Sequence, residues 1–219
     1  MLSSTEENYL KCIFALSEKD DKGVTTNAIA NRMQTSAASV TDMLRRLTEK
    51  QLLSYKKYKG VRLTLKGEEA AKVLVRKHRL WEVFLVETLA FSWDEVHEIA
   101  EQLEHIQSPL LIKRLDSFLG FPKFDPHGDP IPDAHGKFSE RHDSPLSSFK
   151  AGTEAEVVGV LDHSTEFLQH LDQLNLSIGS KLVVKDIVAY DKSLSIEING
   201  SQNVNISERV ARNVLVKAS

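Results

Sequence analysis

The side chains of this sequence best suited to binding chemistry are two histidines and two glutamates near the middle of the chain. They are His97, Glu101, Glu104 and His105. On an α-helix these positions fall within about 100° of one face, because each residue advances about 100° around the axis. Imidazole and carboxylate groups are common ligands of divalent metals. The spacing therefore predicts a metal site on this helix.

A second pair of the same residue types precedes this group. His78 and Glu82 are one turn apart on an earlier predicted helix, so their side chains share a face. Two helices that each present imidazole and carboxylate strengthen the metal interpretation. The alternative is an ordinary solvated helix face, since glutamate is a good helix former.

An enzymatic interpretation of the same residues is weak. The segment from His97 to Glu101 resembles the HExxH motif of zinc hydrolases, but Glu101 stands where the second histidine belongs. That motif needs two imidazoles on one helix face, with the glutamate as base. No nucleophile is apparent either. We therefore expect that the chain is not an enzyme.

The part of the chain before these residues predicts a DNA-binding unit. A helix over residues 4–17 is followed by the short helix NAIANRM and then by AASVTDMLRRLTEK, which Ser36 caps. Residues 54–65 predict two short strands joined at a basic turn. A helix-turn-helix followed by a two-stranded wing is typical of DNA-binding domains. A helix that binds another protein is the alternative.

Positive charge is concentrated in the same region. The formal net charge is −3, yet residues 45–79 contain twelve lysines and arginines against three acidic residues. Such a stretch suits a polyanion, although a solvated basic face is the alternative. The side chains predicted to contact DNA are Thr26, Ser36, Ala37, Ala38, Ser39, Thr41, Asp42, Arg45 and Arg46 on the helices, and Lys57, Lys59 and Arg62 on the wing.

Composition limits where the protein can act. With 41% hydrophobic and 27% charged residues, the chain is an ordinary globular sequence. No apolar run approaches the roughly 20 residues that span a bilayer, and the first residues do not form a signal peptide. A single cysteine, Cys12, excludes an internal disulfide. These features predict a cytoplasmic protein without a membrane partner.

The rest of the chain predicts more helices and then a β domain. Thr64 caps a long helix, and Ser108-Pro109 begins another that Gly120 closes. Short β-branched runs after residue 151 predict a small antiparallel barrel. The predicted domains are a winged helix-turn-helix over 1–65, a helical metal-binding and dimerisation domain over 66–122, a linker over 123–150 and the small barrel over 151–219.

Several motifs together resemble the diphtheria-toxin-repressor family of metal-dependent transcriptional regulators, and its manganese-sensing branch in particular. They are TEENYLKCIFAL at the start, the winged helix, VRKHRLWEVFL, VHEIAEQLEH, PHGDPIP and a C-terminal part like the FeoA-type barrel. The resemblance covers nearly the whole chain. The joint occurrence of RKHRL-x-E and H-x₃-E-x₂-EH at this separation is its most specific feature.

The resemblance implies a fold and a function. The fold would be a mainly α N-terminal part, with winged helix and helical dimerisation domain, followed by a small all-β SH3-like barrel of the FeoA type. The function would be that of a repressor activated by Mn²⁺ or Fe²⁺, with one or two ions per subunit. It would bind double-stranded operator DNA as a homodimer and control metal-uptake genes, with no small organic substrate.

The family's metal ligands carry over to positions of this chain. The primary site would comprise Asn8, Glu101, Glu104 and His105. The second site would comprise His78, Glu82, His97, Asp125, His127 and Asp162. These ligands suit both Mn²⁺ and Fe²⁺, and the choice between them stays open.

Two positions depart from the family pattern. Asn8 stands where manganese sensors commonly have Asp, and Lys11 stands where some have Glu. An Asn carbonyl can bind a metal but brings no charge, whereas Lys11 would repel a second cation nearby. Glu7 could replace the missing carboxylate only if the first helix starts with an unwound turn. Without metal, the acidic cluster should repel itself and leave the first helix loosely attached.

Two other functions remain possible at this stage. One is a metal-independent winged-helix regulator whose acidic helix face only dimerises. The other is a metal-binding adaptor whose winged helix binds a protein. Loss of DNA binding on chelation of metal would distinguish the metal-dependent repressor from both.

Overall fold

The computed structural model describes residues 2–18, 23–56 and 60–218. The backbone divides into two compact units. The first unit comprises Met1–His78, Glu101–Pro109 and Pro132–Lys137, and the second comprises Arg79–Ala100, Leu110–Ile131 and Phe138–Ser219.

The first unit begins with three helices and a two-stranded antiparallel wing. Their bounds are α1 Ser4–Ser17, α2 Thr26–Arg32, α3 Ala37–Glu49, β1 Leu53–Lys56 and β2 Gly60–Leu63. The side chains of Ser3, Thr25 and Ser36 accept a hydrogen bond from a backbone N–H three residues on, and so cap the three helices. The predicted helix-turn-helix and wing are confirmed.

Apolar side chains from all three helices form the core beneath the wing. Leu10 and Ile13 of α1, Ile29 of α2, and Val40 and Leu47 of α3 are fully buried. Burial of side chains of this size contributes about 1.5–3 kcal/mol each. The same pattern that buries one face of α3 leaves its opposite face exposed.

The wing is joined to the residue that precedes α2. Val24 and Val61 form an antiparallel bridge with two hydrogen bonds of 2.9 Å. Gly60 has a φ of +72°, and a Cβ there would lie 2.7 Å from the Val24 carbonyl oxygen. Only glycine fits this close approach and this backbone conformation.

Three further helices follow the wing. They are α4 Leu65–Glu87, α5 Val96–Leu103 and α6 Pro109–Phe118. Thr64 Oγ1 accepts a hydrogen bond from Gly67 N at 3.1 Å, as expected of a cap. Pro109 begins α6, and Gly120 follows its end with a φ of +73°. Among the described residues, no helix is both long and apolar enough to cross a bilayer.

The helix that carries the four predicted ligands ends earlier than the sequence predicts. Helix α5 stops at Leu103, so Glu104 and His105 lie in the following turn and not on the helix face. The Lys77 ammonium donates to the Glu104 backbone carbonyl at 3.0 Å. This bond satisfies a carbonyl that the end of the helix leaves without a partner. The prediction of one continuous face from residue 97 to residue 105 was therefore wrong.

The C-terminal part forms a six-stranded antiparallel sheet in the second unit. Its strands are β3 Ser144–Pro145, β4 Glu154–Val160, β5 Lys181–Ile187, β6 Leu194–Ile198, β7 Gln202–Ile206 and β8 Val214–Ala218, in the spatial order β3-β8-β4-β5-β6-β7. Residues along β6 alternate between buried and partly exposed, which places one face of the sheet in an apolar core.

The sheet domain also contains helices. Helix α7 Thr165–Gln173 follows β4, and helix α8 Glu208–Asn213 precedes β8. Leu168 and Leu171 of α7 and Ala211 of α8 join the core of the sheet. The predicted fold class, a helical N-terminal part followed by a FeoA-type β domain, is confirmed with this addition.

Candidate metal centres and nucleic-acid interface

Glu104 lies at the centre of a buried polar cluster in the first unit. Its side chain is fully buried. The Lys11 ammonium from α1 donates to both carboxylate oxygens, at 2.6 and 2.7 Å. His78 Nδ1 lies 2.5 Å from Oε2. Burial alone would raise the pKa of Glu104, but the His78 hydrogen bond and the Lys11 charge more than offset it, so the pKa is lowered.

Asn8 contributes an unsatisfied oxygen beside this cluster. Its Nδ2 donates to Glu101 Oε1 at 3.2 Å. Its Oδ1 is buried and accepts no hydrogen bond from the described part of the chain. A buried acceptor left without a donor is costly, by about 1–3 kcal/mol. A carboxamide oxygen is also a good ligand for a hard cation, so the residues present fit a metal ion at this point.

His105 is oriented by a carboxylate from α1. Its Nδ1 lies 2.6 Å from Glu7 Oε2, while Gln107 Nε2 donates to Glu7 Oε1 at 2.7 Å. Because a carboxylate only accepts hydrogen bonds, Nδ1 carries the proton of a neutral ring, and the Nε2 lone pair is left for a metal. Glu7 reaches His105 although α1 is helical from Ser4. Contact between Glu7 and His105 therefore requires no unwound first turn.

A second cluster lies within the second unit. The ligand atoms of Glu82, Asp125 and His127 all lie within 4.8 Å of one another, and the three residues are buried. His127 Nδ1 is 3.9 Å from Glu82 Oε2 and 4.0 Å from Asp125 Oδ1. The exposed His97 adds its Nδ1 at 3.4 Å from Glu82 Oε1. The Glu82 carboxylate therefore has an imidazole near each of its oxygens, and Asp125 belongs to the group with His127.

The ring of His127 is held in an orientation that suits metal binding. Its Nε2 lies 2.8 Å from the Trp93 carbonyl oxygen. A carbonyl can only accept, so Nε2 donates and the neutral ring keeps its lone pair on Nδ1, towards Glu82 and Asp125. A histidine whose second nitrogen donates to a backbone carbonyl is the usual arrangement at metal sites.

Asp125 carries an unfavourable charge in this cluster. Burial and the nearby Glu82 carboxylate raise the pKa of Asp125 well above its usual range, although Arg79 acts in the opposite direction. Arg79 Nε lies 3.4 Å from Asp125 Oδ2. Like charges in a buried site disfavour ionisation, so a divalent cation bound here would reduce the repulsion between the Glu82 and Asp125 carboxylates.

The loop that holds Asp125 occurs twice along the chain. Asp125 Oδ1 accepts from the backbone N–H of His127 and Asp129, at 2.8 and 3.0 Å. Asp133 Oδ1 accepts from His135 and Lys137 in the same way, at 2.8 and 2.9 Å. The second copy is exposed. The loop alone therefore does not make a metal site, which also needs a buried carboxylate such as Glu82.

The exposed face of α3 presents the residues predicted to contact DNA. Every predicted residue from Ser36 to Arg46 is exposed, and so is Arg62 on β2, whereas Thr26 is partly buried. Arg45 Nη2 lies 3.3 Å from Asp42 Oδ1, an exposed pair that competing phosphates can displace. Lys57 and Lys59 lie outside the described residues.

Comparison with protein families matches three consecutive parts of the chain. The model for the iron dependent repressor N-terminal DNA binding domain matches residues 1–61. The model for the iron dependent repressor metal binding and dimerisation domain matches residues 64–133, and the FeoA domain matches residues 144–218.

Curated relatives are repressors as well. The iron-dependent repressor IdeR of Mycobacterium leprae is 37% identical over 133 residues, which cover 60% of this chain and 56% of that protein. The match thus spans little more than half the length of that relative. The diphtheria toxin repressor of Corynebacterium glutamicum is 27% identical over 226 residues, which cover 99% of this chain and 97% of that protein.

Solved structures extend the likeness to the complete chain. A manganese-dependent transcriptional repressor in complex with manganese is 34% identical, with 98% of this chain and 100% of that chain covered and a TM-score of 0.86. The chain belongs to the family of metal-dependent transcriptional repressors. ScaR with bound Cd²⁺ is 33% identical, with 97% and 98% covered and a TM-score of 0.78. Members of this family are repressors and not enzymes, as the sequence predicts.

In this repressor, the predicted ligands of the primary site all belong to the first unit, but only Asn8 and Glu101 contact each other, and the groups of close ligand atoms found among the described residues include neither Glu101, Glu104 nor His105. Glu104 contacts Lys11 and His78, Asn8 contacts Glu101, and His105 contacts Glu7. Sequence reasoning missed Glu7 as the partner of His105. No local pattern could have found it, because 98 positions separate the two residues.

Of the residues predicted for the second site of the repressor, Glu82, Asp125 and His127 form one group in the second unit, and His97 Nδ1 lies 3.4 Å from Glu82 Oε1. In the first unit, His78 Nδ1 lies 2.5 Å from Glu104 Oε2, and its place in the second site stays a prediction. Asp162 Oδ1 accepts from the backbone N–H of Ser164 at 3.0 Å, and Asp162 is not in the group formed by Glu82, Asp125 and His127.

The neighbour of Asp162, which the sequence does not single out, packs against the second site. The rings of His163 and His127 stack with centroids 4.8 Å apart. Burial lowers the pKa of His163, which favours its neutral form. A neutral stacked ring adds no charge to the cluster but supports the orientation of His127.

Proposed function

We propose that this repressor binds Mn²⁺ or Fe²⁺ at the primary site formed by Asn8, Glu101, Glu104 and His105, and at a second site formed by Glu82, His97, Asp125 and His127. The observation that carries the proposal is the buried Asn8 oxygen, which accepts no hydrogen bond from the described residues although the amide of the same side chain donates to the Glu101 carboxylate. Bound at this point, a divalent ion would supply positive charge to ligands from both α1 and the segment after α5.

The ligand chemistry supports a hard metal. The candidate ligands are carboxylates, imidazoles and one carboxamide, which suit Mn²⁺ and Fe²⁺. The single thiol of the chain, Cys12, is buried, and burial raises its pKa. A buried neutral thiol is a poor metal ligand. These residues therefore disfavour selection of a thiophilic metal.

We propose that metal controls DNA binding through the attachment of α1. In the first unit α1 lies between the winged helix and the predicted primary site, because its apolar face packs in the core while Glu7, Asn8 and Lys11 contact residues 101–107. A metal that binds the DNA-competent arrangement more tightly than the alternatives shifts the population towards it.

The repressor is proposed to act as a homodimer on operator DNA. Apolar side chains of α6 and the residues after it are exposed: Leu110 is 60% exposed, Phe118 68% and Phe121 66%. Large exposed apolar side chains grouped in this way mark an interaction surface. Two copies joined here would present two α3 helices to successive major grooves. Such a dimer would control metal-uptake genes in the cytoplasm.

The test is metal-dependent recovery of genomic DNA fragments. Purified protein is mixed with fragmented host DNA in chelator and again with Mn²⁺ or, anaerobically, Fe²⁺. We expect specific fragments with metal, at least tenfold enriched over chelator, and loss of that enrichment in Glu101→Ala. Glu98→Ala is the matched control, because Glu98 is an exposed glutamate of the same helix.

Three results would contradict the proposal. Equal recovery with and without metal would favour the metal-independent regulator. Unchanged stimulation in Glu101→Ala would remove Glu101 from the primary site. Recovery of no DNA under any condition would favour the adaptor whose winged helix binds a protein.

A further inference from the structure

The strongest link between α1 and the segment after α5 is an ion pair, not a metal site. Lys11 Nζ contacts both oxygens of the Glu104 carboxylate, at 2.6 and 2.7 Å. The Lys11 side chain is 20% exposed and the Glu104 side chain is fully buried. A charge-assisted pair that engages both carboxylate oxygens is among the stronger polar contacts in proteins.

The charge of Glu104 is already balanced by this arrangement. Besides Lys11, the buried Lys77 ammonium donates to the Glu104 backbone carbonyl, and His78 Nδ1 contacts carboxylate Oε2. One ammonium group and an imidazole thus contact the carboxylate, and a second ammonium group binds the backbone carbonyl of the same residue. A metal ion bound to the Oε1 side of Glu104 would lie against the Lys11 ammonium, and the two cations would repel each other at short range.

The neighbouring ligands are not balanced in the same way. Asn8 Oδ1 accepts no hydrogen bond from any described residue, and Glu101 receives only the neutral Asn8 amide among the bonds described for it. His105 faces the Glu7 carboxylate through Nδ1, which leaves Nε2 for a ligand. The negative charge that still needs a cation is therefore that of Glu101, beside the unsatisfied Asn8 oxygen, and not that of Glu104, which Lys11 already neutralises.

We propose that Lys11 is a tethered cation that takes the place of a metal ion at Glu104. It limits the first unit to a single divalent ion and attaches α1 before that ion binds. The proposal rests on the proposed function, because it assigns the number of ions that the primary site binds and the contribution of the metal to the attachment of α1. It also replaces the expectation that α1 is loosely attached without metal.

One consequence is a basal level of DNA binding in chelator. The Lys11–Glu104 pair holds α1 in place without metal, so binding of the metal at the primary site adds only a further link between α1 and the residues from Glu101 onwards. Loss of the pair leaves Glu104 as a buried carboxylate without a cation, which is strongly destabilising. Operator binding in chelator should then fall about tenfold or more in Lys11→Met, and saturating Mn²⁺ should restore it.

The decisive measurement counts the Mn²⁺ ions bound per chain. Free Mn²⁺ is quantified by its electron paramagnetic resonance signal at equilibrium with protein. Parent and variants all carry Glu82→Gln, so the difference between them does not depend on the second site. We expect one ion more per chain in Lys11→Glu than in the parent, because a carboxylate replaces the ammonium beside Glu104. Lys11→Arg keeps the positive charge and should keep the parent's count.

A second lysine serves as a matched control. Lys50 also pairs with a carboxylate of α1, through bonds of 2.6 and 2.8 Å to Glu6. Glu6 has none of the predicted metal ligands among the partners described for it. Lys50→Glu should therefore leave the ion count unchanged. Circular dichroism confirms that each variant is folded before its ions are counted.

Each outcome separates this proposal from the proposed function. An equal ion count in folded Lys11→Glu and parent overturns the role of Lys11, whether or not the parent binds metal. If the parent binds no ion and the Lys11→Glu variant binds one, the role of Lys11 as the tethered cation is supported. That same result would overturn metal activation of the natural chain. An equal gain in Lys50→Glu would show a general charge effect and refute the proposal.

Discussion

Replacing Asp125 with asparagine should affect the metal-free and the metal-loaded repressor in opposite directions. The substitution keeps the shape of the loop, because an asparagine Oδ1 can still accept from the backbone N–H of His127 and Asp129. Arg79 keeps its contacts with Asp129 and with the Pro130 carbonyl, at 3.1 and 2.5 Å. The main change is therefore the loss of one negative charge.

In the metal-free protein this loss should not destabilise the fold. Ligand oxygens of Glu82 and Asp125 lie within 4.8 Å of each other. At that distance two carboxylates repel by about 3.5 kcal/mol with an effective dielectric constant of about 20. The pKa of Asp125 is raised by burial and then by Glu82. A carboxyl group whose pKa is higher in the folded state than in the unfolded state lowers the stability of the fold at pH values above its folded pKa. This destabilisation disappears as the pH falls below the unfolded pKa.

With metal the sign reverses. An ion held at a hundred times its dissociation constant stabilises the folded state by about 2.7 kcal/mol. For a chain of this length, that corresponds to an increase in melting temperature of roughly 5–11 °C. If the loss of a charged ligand raises the dissociation constant about a hundredfold, the same Mn²⁺ concentration adds only about 0.4 kcal/mol.

The assay is thermal unfolding at pH 7.5 with and without Mn²⁺, in a Glu101→Ala background that removes the primary site. Asp125→Asn should melt at or above the background temperature without metal and lose most of the metal-induced increase. Asp133→Asn is the matched control, because the same hydrogen bonds occur in its exposed loop. A full metal-induced increase in Asp125→Asn would refute the reasoning, as would an equal loss in Asp133→Asn.

Two further predictions concern DNA contact and acid stability. Arg46→Ala should weaken operator binding without changing the affinity for Mn²⁺, and it should reduce the slope of log DNA affinity against log salt concentration by about one. Lys181→Ala, at an exposed lysine, is the control and should change neither the operator affinity nor the slope. Loss of Mn²⁺ affinity in Arg46→Ala would contradict the prediction. Burial raises the pKa of Glu6, but the bonds to Lys50 and Ser3 more than offset this effect, so the pKa lies below its ordinary value. A carboxyl group whose pKa is lower in the folded state than in the unfolded state stabilises the fold above its unfolded pKa, and this stabilisation is lost as the pH falls through the folded pKa. Glu6→Gln should therefore lower the melting temperature at pH 7 and not at pH 2. An equal decrease at both pH values would argue against the ion pair.

The sequence by itself determined the local structure and the residue types of both proposed metal sites. Capping residues such as Thr25 and Ser36 and the apolar pattern of α3 act within a few positions, so the winged helix could be predicted from them. The strand β7 escaped prediction because only Val204 and Ile206 among its five residues are apolar. Strand formation there depends on pairing with β6, which is a property of the sheet.

The tertiary structure decided which charges meet. Lys11 and Glu104 are 93 positions apart, and so are Asn8 and Glu101, so no periodicity in the chain relates them. Helix α5 ends at Leu103, and in the following turn the Glu104 carboxylate contacts Lys11 while its backbone carbonyl accepts from Lys77 of α4. The His127 tautomer likewise depends on the Trp93 carbonyl. Local sequence sets the propensity of each segment, but the position of a buried charge is set by its partners, because an unpaired charge is too costly to bury.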